Sequence, residues 1–542
     1  MKTRLLSLVT AVLLLIIPAL NFAQAPTLGT VADFVLFSTN GAVSNTGISQ
    51  LTGNVGTNNG SSTNFGNVNG VMHDQDGASA ACAADLLIAY NQLNAAIPTF
   101  FPGNLLGNGV TLNAGVYSIP SAATLNLDLI LDAQNNSSAV FIFKIDGAFS
   151  TNANSKVKLI NGALACNVFW KVEGLVDMAT GTSMKGTVIA NNFAIILNIG
   201  DTLEGRALST AGAVTVHGVM AYTPIGCGSP VLTGPIAPEL GSSACYAIFS
   251  ADGAVTNTGV STITGDVGTN VGSATGFNPL LITGTLHPIP DGSTAACAAD
   301  LLTAYNYVNT LPYDIELLYP VQFGNNLVLT PHTYRMKAAA MLTDTVYLNA
   351  LGNPDAVFVI QIDGALTTST YSKVNLINGA QSKNVYWKIE GAVSINNYSV
   401  FRGTIICNNG ALGALNTGVT LDGRALTTAG ALTTTAINAV ATLLPSNCLT
   451  VGVSPFEEAN TNDGVSIYPN PFSTYTTIMI NDASASNAYE LKIYNVLGEE
   501  KVNMTVRNQA TILDANILPS GIYFYNVTSN NKKIYTGKLI SQ

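Results

Sequence analysis

The chain has 542 residues, which is room for three or four domains. Charged residues make up only 10%, against about 25% in an average soluble protein, whereas hydrophobic residues make up 47%. Lys and Arg are scarce and the net charge is −10, so the composition argues against nucleic acid or an anionic membrane as a partner.

The first 25 residues have the pattern of a signal peptide. Lys2 and Arg4 give a basic start, an apolar stretch follows, and Ala23-Gln-Ala25 is a small-residue cleavage site. A membrane anchor is the alternative, but the apolar run is short and is broken by Pro18. We therefore expect residues 1–25 to be removed and the protein to be exported.

The most informative feature is a duplication, because residues 33–224 and 245–442 are two copies of one domain. Four segments return in the same order: Gly41–Ser49 as Gly253–Ser261, Ala80–Leu87 as Ala295–Leu302, Asn167–Lys171 as Asn384–Lys388, and Gly205–Ala213 as Gly423–Ala431. A duplicated domain adds a second copy of one surface, which favours binding over chemistry at a single site.

Each copy contains one predicted helix among many short strands. In the first copy the helix covers 79–97, with Leu86, Tyr90, Leu93 and Ile97 on one face, and it stops at Pro98. The strands are cut by Gly and Asn and recur roughly every 20–30 residues, which predicts a β-solenoid. A jelly roll remains the alternative, because strand spacing alone does not exclude it.

Composition shifts place the domain boundaries. The predicted segments are a first domain at 26–224, a linker at 225–240, a second domain at 241–447, a second linker at 448–464 and a third domain at 465–542. Three prolines in the first linker predict a stiff, extended spacer. Lys and Glu return in the third domain, together with alternating strands.

No metal, cofactor or catalytic set is expected. The seven cysteines show no zinc-type spacing and there are only four histidines. Carboxylates are too sparse for a lyase, and His217 lies without a nucleophile elbow nearby, so we expect a protein that is not an enzyme. A Cys245–Cys448 or a Cys227–Cys245 bridge is conceivable, but the spacing leaves the connectivity open.

The duplicated motifs resemble the ice-binding family of microbial antifreeze proteins. The matching segments are Leu51–Thr57, Ala80–Leu87, Asn167–Lys171 and Leu203–Leu208, and the second copy carries all of them. The resemblance implies discontinuous β-solenoids of triangular section, each with one long helix alongside. It also implies adsorption to ice that limits ice growth or recrystallisation. The rival function is a cell-surface adhesin that binds glycan or another surface.

The C-terminal segment resembles the type A sorting domain of the Bacteroidetes type IX secretion system. The motifs are Tyr468–Phe472, Ile493–Glu499, Leu518–Tyr525 and Lys538–Ile540. The resemblance implies a small β-sandwich that the secretion machinery reads and then usually removes, so the protein is secreted or at the outer cell surface. Release and attachment to lipopolysaccharide both stay open. The expected fold is mainly β: two tandem solenoids, each with a flanking helix, plus this sandwich.

Small hydroxyl and amide residues form the candidate ice-binding site. They resemble the family's Thr-(Ala/Gly)-x-(Thr/Asn) motif, which only Thr417–Thr420 fits strictly. The predicted site residues are Thr46, Ser49, Thr151, Asn154, Thr180, Thr182, Ser183, Thr202, Thr258, Ser261, Thr368, Thr417 and Thr420. The alternative is that Thr is simply common on exposed strands. The first copy has the more complete series, so we expect it to dominate and the second copy to add avidity through the linker.

Overall fold

The computed structural model describes residues 23–226, 231–408, 410–442, 444–445, 448, 465–480, 489–506, 510–529 and 532–542. The chain divides into two compact units, Met1–Leu449 and Thr450–Gln542. Most of the predicted signal peptide and nearly all of the second linker lie outside the described residues. Within the described part of the chain, no helix is long and apolar enough to cross a membrane.

The first unit consists of two β-solenoids, as predicted, and their strands pair in parallel from one turn to the next. A jelly roll is antiparallel and is therefore excluded. Each turn contributes strands to three faces, which we call the helix face, the front face and the charged face. Alternate side chains point inward, as in Leu432–Thr435, where Leu432 and Thr434 are buried and Thr433 and Thr435 point outward.

The helix face is the one on which the long helix packs. In the first solenoid it comprises Phe34–Ser38, Asn54–Thr57, Met72–Asp74, Gly115–Ile119, Phe141–Ile145, Val168–Val172 and the second halves of Ser183–Ala190 and Thr202–Ser209. In the second it comprises Tyr246–Ser250, Asp266–Thr269, Leu286–His287, Ile315–Glu316, Thr333–Met336, Phe358–Ile362, Val385–Ile389 and the second halves of Val400–Cys407 and Thr420–Thr427.

The front face is a separate sheet in each solenoid. In the first it comprises Val43–Thr46, Ser62–Thr63, Leu105–Gly107, Ala123–Asn126, Phe149–Thr151, Val176–Met178, Ile195–Leu197 and Val214–His217. In the second it comprises Val255–Thr258, Ala274–Thr275, Ala340–Leu342, Leu366–Thr368, Val393–Ile395, Leu412–Leu415 and Leu432–Thr435.

The charged face closes the triangle. In the first solenoid it comprises Gln50–Thr52, Val110–Asn113, Asp128–Asp132, Lys156–Ile160, Met220–Tyr222 and the first halves of Ser183–Ala190 and Thr202–Ser209. In the second it comprises Thr262–Thr264, Ile282–Thr283, Leu327–Leu329, Thr345–Asn349, Lys373–Ile377, Asn438–Val440 and the first halves of Val400–Cys407 and Thr420–Thr427.

The interior of the first solenoid contains a column of stacked aromatic rings among its aliphatic side chains. Phe143 lies between Tyr117 and Trp170, with ring centroids 5.0 Å and 4.0 Å away. Each ring comes from the same position of a successive turn, because parallel strands in register place equivalent side chains above one another. Such stacking stabilises the fold by more than the hydrophobic gain from the buried area alone, and it fixes the register of the turns.

The two long helices are α1, Gly77–Ala95, and α2, Gly292–Thr310. Helix α1 begins two residues before the predicted start because Asp76 forms a capping box with Ser79. It buries Leu86 and Leu93 against the helix face, as expected, but Ile97 lies beyond the helix and is 74% exposed. The prediction for Ile97 was therefore wrong, because the chain leaves the helix before that position.

An ion pair with a buried lysine and a partly buried glutamate attaches each helix to its solenoid. Lys171 is buried and its Nζ lies 2.6 Å from Glu173 Oε1, while Tyr90 of α1 donates to the same carboxylate at 2.7 Å. Burial alone would raise the pKa of Glu173, but hydrogen bonds from Lys171, Asn191 and Tyr90 outweigh it and lower the pKa. The second solenoid repeats the arrangement around Glu390.

These two carboxylates predict a specific acid sensitivity. A carboxylate with a lowered folded-state pKa contributes stability above its unfolded value of about 4.3, and that contribution is lost as pH falls through the folded value. We expect Glu173→Gln with Glu390→Gln to cost about 1–3 kcal/mol at pH 7, with the difference from wild type shrinking below pH 4. Denaturant unfolding from pH 7 to 3 measures this. Asp128→Asn, in an exposed pair with Lys158, is the control with little expected change, and an equal effect of both changes would contradict the prediction.

One disulfide closes the second solenoid. Cys245 at its start is bonded to Cys448 at its end, 203 residues later in the chain. This bridge is one of the two that the sequence allows. Cys166 is also disulfide-bonded, and Cys82, Cys297 and Cys407 are buried free thiols. The alternative Cys227–Cys245 bridge is excluded because Cys245 is already bonded to Cys448.

The second unit contains two small antiparallel sheets. One comprises Val465–Tyr468, Tyr475–Ile480 and Ala510–Asp514. The other comprises Tyr489–Asn495, Glu500–Val506, Gly521–Ser529 and Lys532–Ser541. Phe472, Leu491 and Leu539 belong to a single buried core between them. This arrangement agrees with the predicted sandwich.

Candidate functional site

The three solenoid faces differ in what they offer to solvent. The helix face is covered: Phe169, Ile189 and Leu208 are buried with Leu86 of α1. The charged face carries ionic side chains, namely Asp128, Asp132, Lys156, Lys158, Lys185 and Glu204 in the first solenoid, and Lys373, Arg402 and Asp422 in the second. The front-face strands of the second solenoid contain no Asp, Glu, Lys or Arg, and those of the first contain only Asp177.

The front face of the second solenoid presents two columns of small polar side chains. The first column is Thr275, Thr256, Thr433, Ala414, Ser394, Thr367 and Met341. The second column follows two residues later in each strand: Thr258, Thr435, Asn416, Asn396, Ser369 and Thr343. One register shift occurs between Leu412 and Leu415, where Gly413 and Ala414 add no bulk.

The first solenoid has the same two columns with more interruptions. Its first column is Thr63, Ser44, Thr215, Ile196, Asp177, Ser150, Thr124 and Leu105. Its second column is Thr46, His217, Asn198, Ala179, Asn152, Asn126 and Gly107. A carboxylate, a branched apolar side chain and an imidazole therefore break the pattern at Asp177, Ile196 and His217.

Hydrogen bonds between turns hold these side chains in fixed positions. Thr256 Oγ1 donates to Thr433 Oγ1 at 3.3 Å, and Thr258 Oγ1 donates to Thr435 Oγ1 at 3.1 Å. Asn416 Nδ2 donates to Asn396 Oδ1 at 3.1 Å. The β-branched Thr side chain already has few χ1 rotamers, so little freedom is left to lose on contact with a surface.

The turn between the front and charged faces accounts for the glycines of the predicted motif. Gly181, Gly200 and Gly418 have φ near +75°, a conformation that glycine adopts without strain. In two other turns of the second solenoid this position is Tyr371 and Tyr398, whose exposed rings stack with centroids 5.2 Å apart. Two bulky side chains therefore lie at the edge of the second solenoid's front face.

Five of the thirteen predicted site residues lie on the front face or at its edge. Thr46 and Thr258 are exposed in the second column, and Thr46 contacts His217. Asn154, Thr180 and Thr417 are exposed in the turn toward the charged face. These five positions remain compatible with a contact surface.

Three more predicted residues lie on another face. Ser183, Thr202 and Thr420 begin strands of the charged face, where Ser183 pairs with Thr202. Their side chains are partly exposed but do not share the plane of the front face. The motif continues around the corner of the triangle, which a linear sequence does not reveal.

The remaining five predicted site residues have side chains that are turned inward, so their prediction as surface residues was wrong. Thr151, Thr182, Thr368 and Ser261 are buried, and Ser49 donates to Asn45 Oδ1 at 2.6 Å. Thr151 and Thr182 bond each other at 2.6 Å, and Ala179 N donates to Thr151 Oγ1 at 2.8 Å. These hydroxyls satisfy backbone groups inside the turn, which a buried polar group requires.

The prediction that the first copy has the more complete series is also corrected, because the second solenoid has the less interrupted columns. Sequence reasoning missed most of these residues, among them Thr215, Ser394, Thr433 and Thr435. The available signal was strict alternation inside the strand, as in Leu432–Thr435. Among the described residues, no group of three or more His, Cys, Asp or Glu is placed to hold a metal ion.

Both solenoids and the C-terminal unit match known protein families. Residues 37–220 and 249–440 match the family described as Ice-binding-like, and residues 466–542 match the Secretion system C-terminal sorting domain. A crystal structure of an ice binding protein from an Antarctic bacterium of the Flavobacteriaceae is 62% identical, with a TM-score of 0.76. That alignment covers 77% of this chain and 98% of the other.

Two curated relatives are similar over one solenoid's length. An ice-binding protein of Nostoc sp. (strain HG1) is 36% identical over 198 residues, which cover 36% of this chain and 72% of the relative. An ice-binding protein of Colwellia sp. is 31% identical over 227 residues, which cover 39% of this chain and 87% of the relative.

Proposed function

The chain belongs to the ice-binding-like family, and on that premise we propose that it is an exported protein that adsorbs to ice through its front faces and inhibits ice growth or recrystallisation. The observation that carries the proposal is the pair of columns on the second solenoid, where Thr, Ser and Asn recur on successive turns without a charged residue. The function is binding rather than catalysis.

The spacing of the turns explains why such a surface suits ice. Parallel strands lie about 4.8 Å apart, so equivalent side chains form a regular array. Each Thr presents one methyl group and one hydroxyl on a stiff side chain. Such an array orders water at low entropic cost, whereas long charged side chains hold mobile hydration shells that do not fit a lattice.

We assign the larger share of adsorption to the second solenoid. Two members of the second solenoid's columns are neither hydroxyl nor amide residues, namely Ala414 and Met341. The first solenoid's columns have six such members: Leu105, Gly107, Asp177, Ala179, Ile196 and His217. Thr46 and Thr258 stay in the proposed surface as members of the second columns, and Asn154, Thr180 and Thr417 stay at its edge.

A freezing assay on the purified exported protein tests the function. We expect faceted ice crystals, a gap between melting and freezing temperatures, and inhibited recrystallisation at micromolar protein. Unshaped crystals with no inhibition would refute ice adsorption and favour the adhesin. Binding to glycan arrays, measured on the same preparation, distinguishes that rival directly.

The sorting domain determines where this activity operates. The protein acts outside the cell, either released or attached to surface lipopolysaccharide, and the secretion machinery is its partner during export. Comparing cell-surface and medium fractions decides between the two fates. A released protein would alter freezing around the cell, and an attached one would hold the cell on ice.

A further inference from the structure

The two solenoids meet end to end within one compact unit, and the contact is specific. Asn67 lies in the end turn of the first solenoid that faces the second, and Tyr319 lies in the end turn of the second solenoid that faces the first. The Asn67 side chain donates from Nδ2 to Tyr319 O at 2.9 Å and accepts from Tyr319 N at 2.9 Å. An amide side chain has one donor end and one acceptor end, so it pairs with this backbone as a neighbouring strand would.

A second asparagine at the junction is almost completely buried. Asn69 is 3% exposed, and its Nδ2 donates to Thr330 Oγ1 at 3.0 Å. Its Oδ1 lies 2.7 Å from the hydroxyl of Tyr334, which is fully buried. Removing one partner would leave a buried polar group unsatisfied, so this network permits one arrangement of the two solenoids.

The two copies have diverged at the ends that meet. Asn69 pairs with Thr52, and the equivalent pair in the second solenoid is Thr283 with Thr264. The counterparts of Asn67 and Asn69 at the far end of the second solenoid are therefore Leu281 and Thr283. Both asparagines occur at the internal junction and not at the equivalent free end.

The linker is docked rather than free. Val357 N donates to Thr233 O at 2.8 Å, and Tyr307 of α2 donates to Ile236 O at 2.9 Å. Ala237 and Leu240 pack against Val357 in a small apolar cluster. The expectation of a free spacer is therefore wrong, since the described part of the linker lies on the second solenoid, whereas avidity between the two copies stays a prediction.

The junction also aligns the faces. The charged-face strand Gln50–Thr52 of the first solenoid lies against Leu327–Leu329 of the charged face of the second. Both solenoids visit the helix, front and charged faces in the same order and stack their turns in the same direction. With one face aligned, the front faces lie on the same side. Their fifteen strands span about 70 Å at the usual strand spacing.

We infer that Asn67 and Asn69 are positioning residues that lock the two front faces into one continuous surface for ice. The inference rests on the proposed function and deepens it by assigning the tandem a single rigid binding face. Because the two faces are already aligned, both can engage one crystal plane without losing orientational freedom on binding. The lower entropic cost strengthens binding without any new contact to ice.

The test exchanges the residues of the two copies in the exported protein. Asn67→Leu with Asn69→Thr installs the residues of the second copy at the junction, and Leu281→Asn with Thr283→Asn is the reciprocal control at the free end. We expect the junction variant to lose at least half of the thermal hysteresis at equal concentration, with no change in circular dichroism. We expect the control to match wild type. Full hysteresis in the junction variant would overturn the inference.

Small-angle X-ray scattering gives an answer that does not depend on ice. We expect the junction variant to show a broader distribution of interatomic distances than wild type, and an unchanged distribution would overturn the lock. If the double variant misfolds, Tyr334→Phe tests the same contact, because it removes only the hydroxyl that donates to Asn69. Its control is Tyr117→Phe, which changes the equivalent ring of the first solenoid. If the wild-type protein shows no thermal hysteresis, the proposed function is refuted, whereas the scattering experiment still tests whether the junction fixes the two solenoids.

Discussion

A lysine at position 433 should remove most of the ice activity of the exported protein while leaving its fold intact. Thr433 lies in the first column of the second solenoid's front face, between Thr256 and Ala414 on the neighbouring turns. Its side chain is partly exposed, so a lysine extends outward and keeps its charge in water. The protruding ammonium holds its hydration shell and prevents the neighbouring hydroxyls from reaching the same crystal plane.

The expected loss is about tenfold in the concentration required for a given hysteresis, which corresponds to about 1.4 kcal/mol of adsorption free energy. Two matched variants make the result interpretable. Thr215→Lys occupies the same position of the first solenoid and should cost less, because Asp177 and Ile196 already interrupt that surface. Asn375→Lys lies on the charged face and should cost little.

Circular dichroism and the melting temperature of each variant serve as controls for folding. An equal loss from Thr433→Lys and Asn375→Lys would contradict the assignment of the front face. A larger loss from Thr215→Lys than from Thr433→Lys would return the dominant role to the first solenoid.

The fold was predictable because its signals are local and repeated. The duplication, the alternation within short strands and the single helix per copy led directly to two solenoids with flanking helices. The predicted helix start missed only its cap, because Asp76 lies before the apolar positions that define the periodicity. Disulfide pairing could not be derived, since Cys245 and Cys448 meet only after a whole solenoid has closed.

The site was harder to predict because its register depends on turn length. Thr151–Asn154 and Thr180–Ser183 look equivalent in sequence, but the residues with positive φ are Asn154 and Gly181. The structural counterpart of Thr180-Gly181 is therefore Ala153-Asn154 and not Thr151-Asn152. That shift moves Thr151 from the surface into the interior.

The burial of each hydroxyl residue is a second property that the sequence did not predict. Threonine serves equally on an exposed strand position and as an internal hydrogen-bond partner for turn backbone. Thr182 donates to Ala179 O at 2.5 Å, and Thr368 accepts from Asn396 N at 2.9 Å. Composition alone does not separate these two uses, whereas the three-dimensional register does.

Deleting residues 465–542 should abolish delivery to the cell surface and the medium in a bacterium with the type IX secretion system. The second unit is compact by itself, with its own core around Leu491 and Leu539. Its predicted motifs are structurally connected: Asn470 accepts from Ile540 N at 2.8 Å and donates to Lys538 O at 2.8 Å. The Tyr468–Phe472 motif therefore holds the final strand, so we expect recognition to require both.

A smaller deletion tests that dependence. Removing residues 532–542 takes away the final strand, which pairs along Gly521–Ser529 and covers Phe472 through the Phe472–Ser541 bridge. We expect this truncation to block export as fully as loss of the whole domain, with the solenoids trapped in the periplasm. Immunoblots of periplasm, surface and medium measure the distribution, and Asn375→Lys serves as a control that is exported normally.

The fate of the domain after export is decided by mass spectrometry of the mature protein. We expect peptides from the solenoids and none from residues 520–542, because sorting domains of this type are usually removed once outside. Recovery of those C-terminal peptides from surface protein, together with normal export of the truncated chain, would contradict the sorting role. The second unit would then act as a permanent adhesion module, and the tandem solenoids would be held at the cell surface by the domain itself.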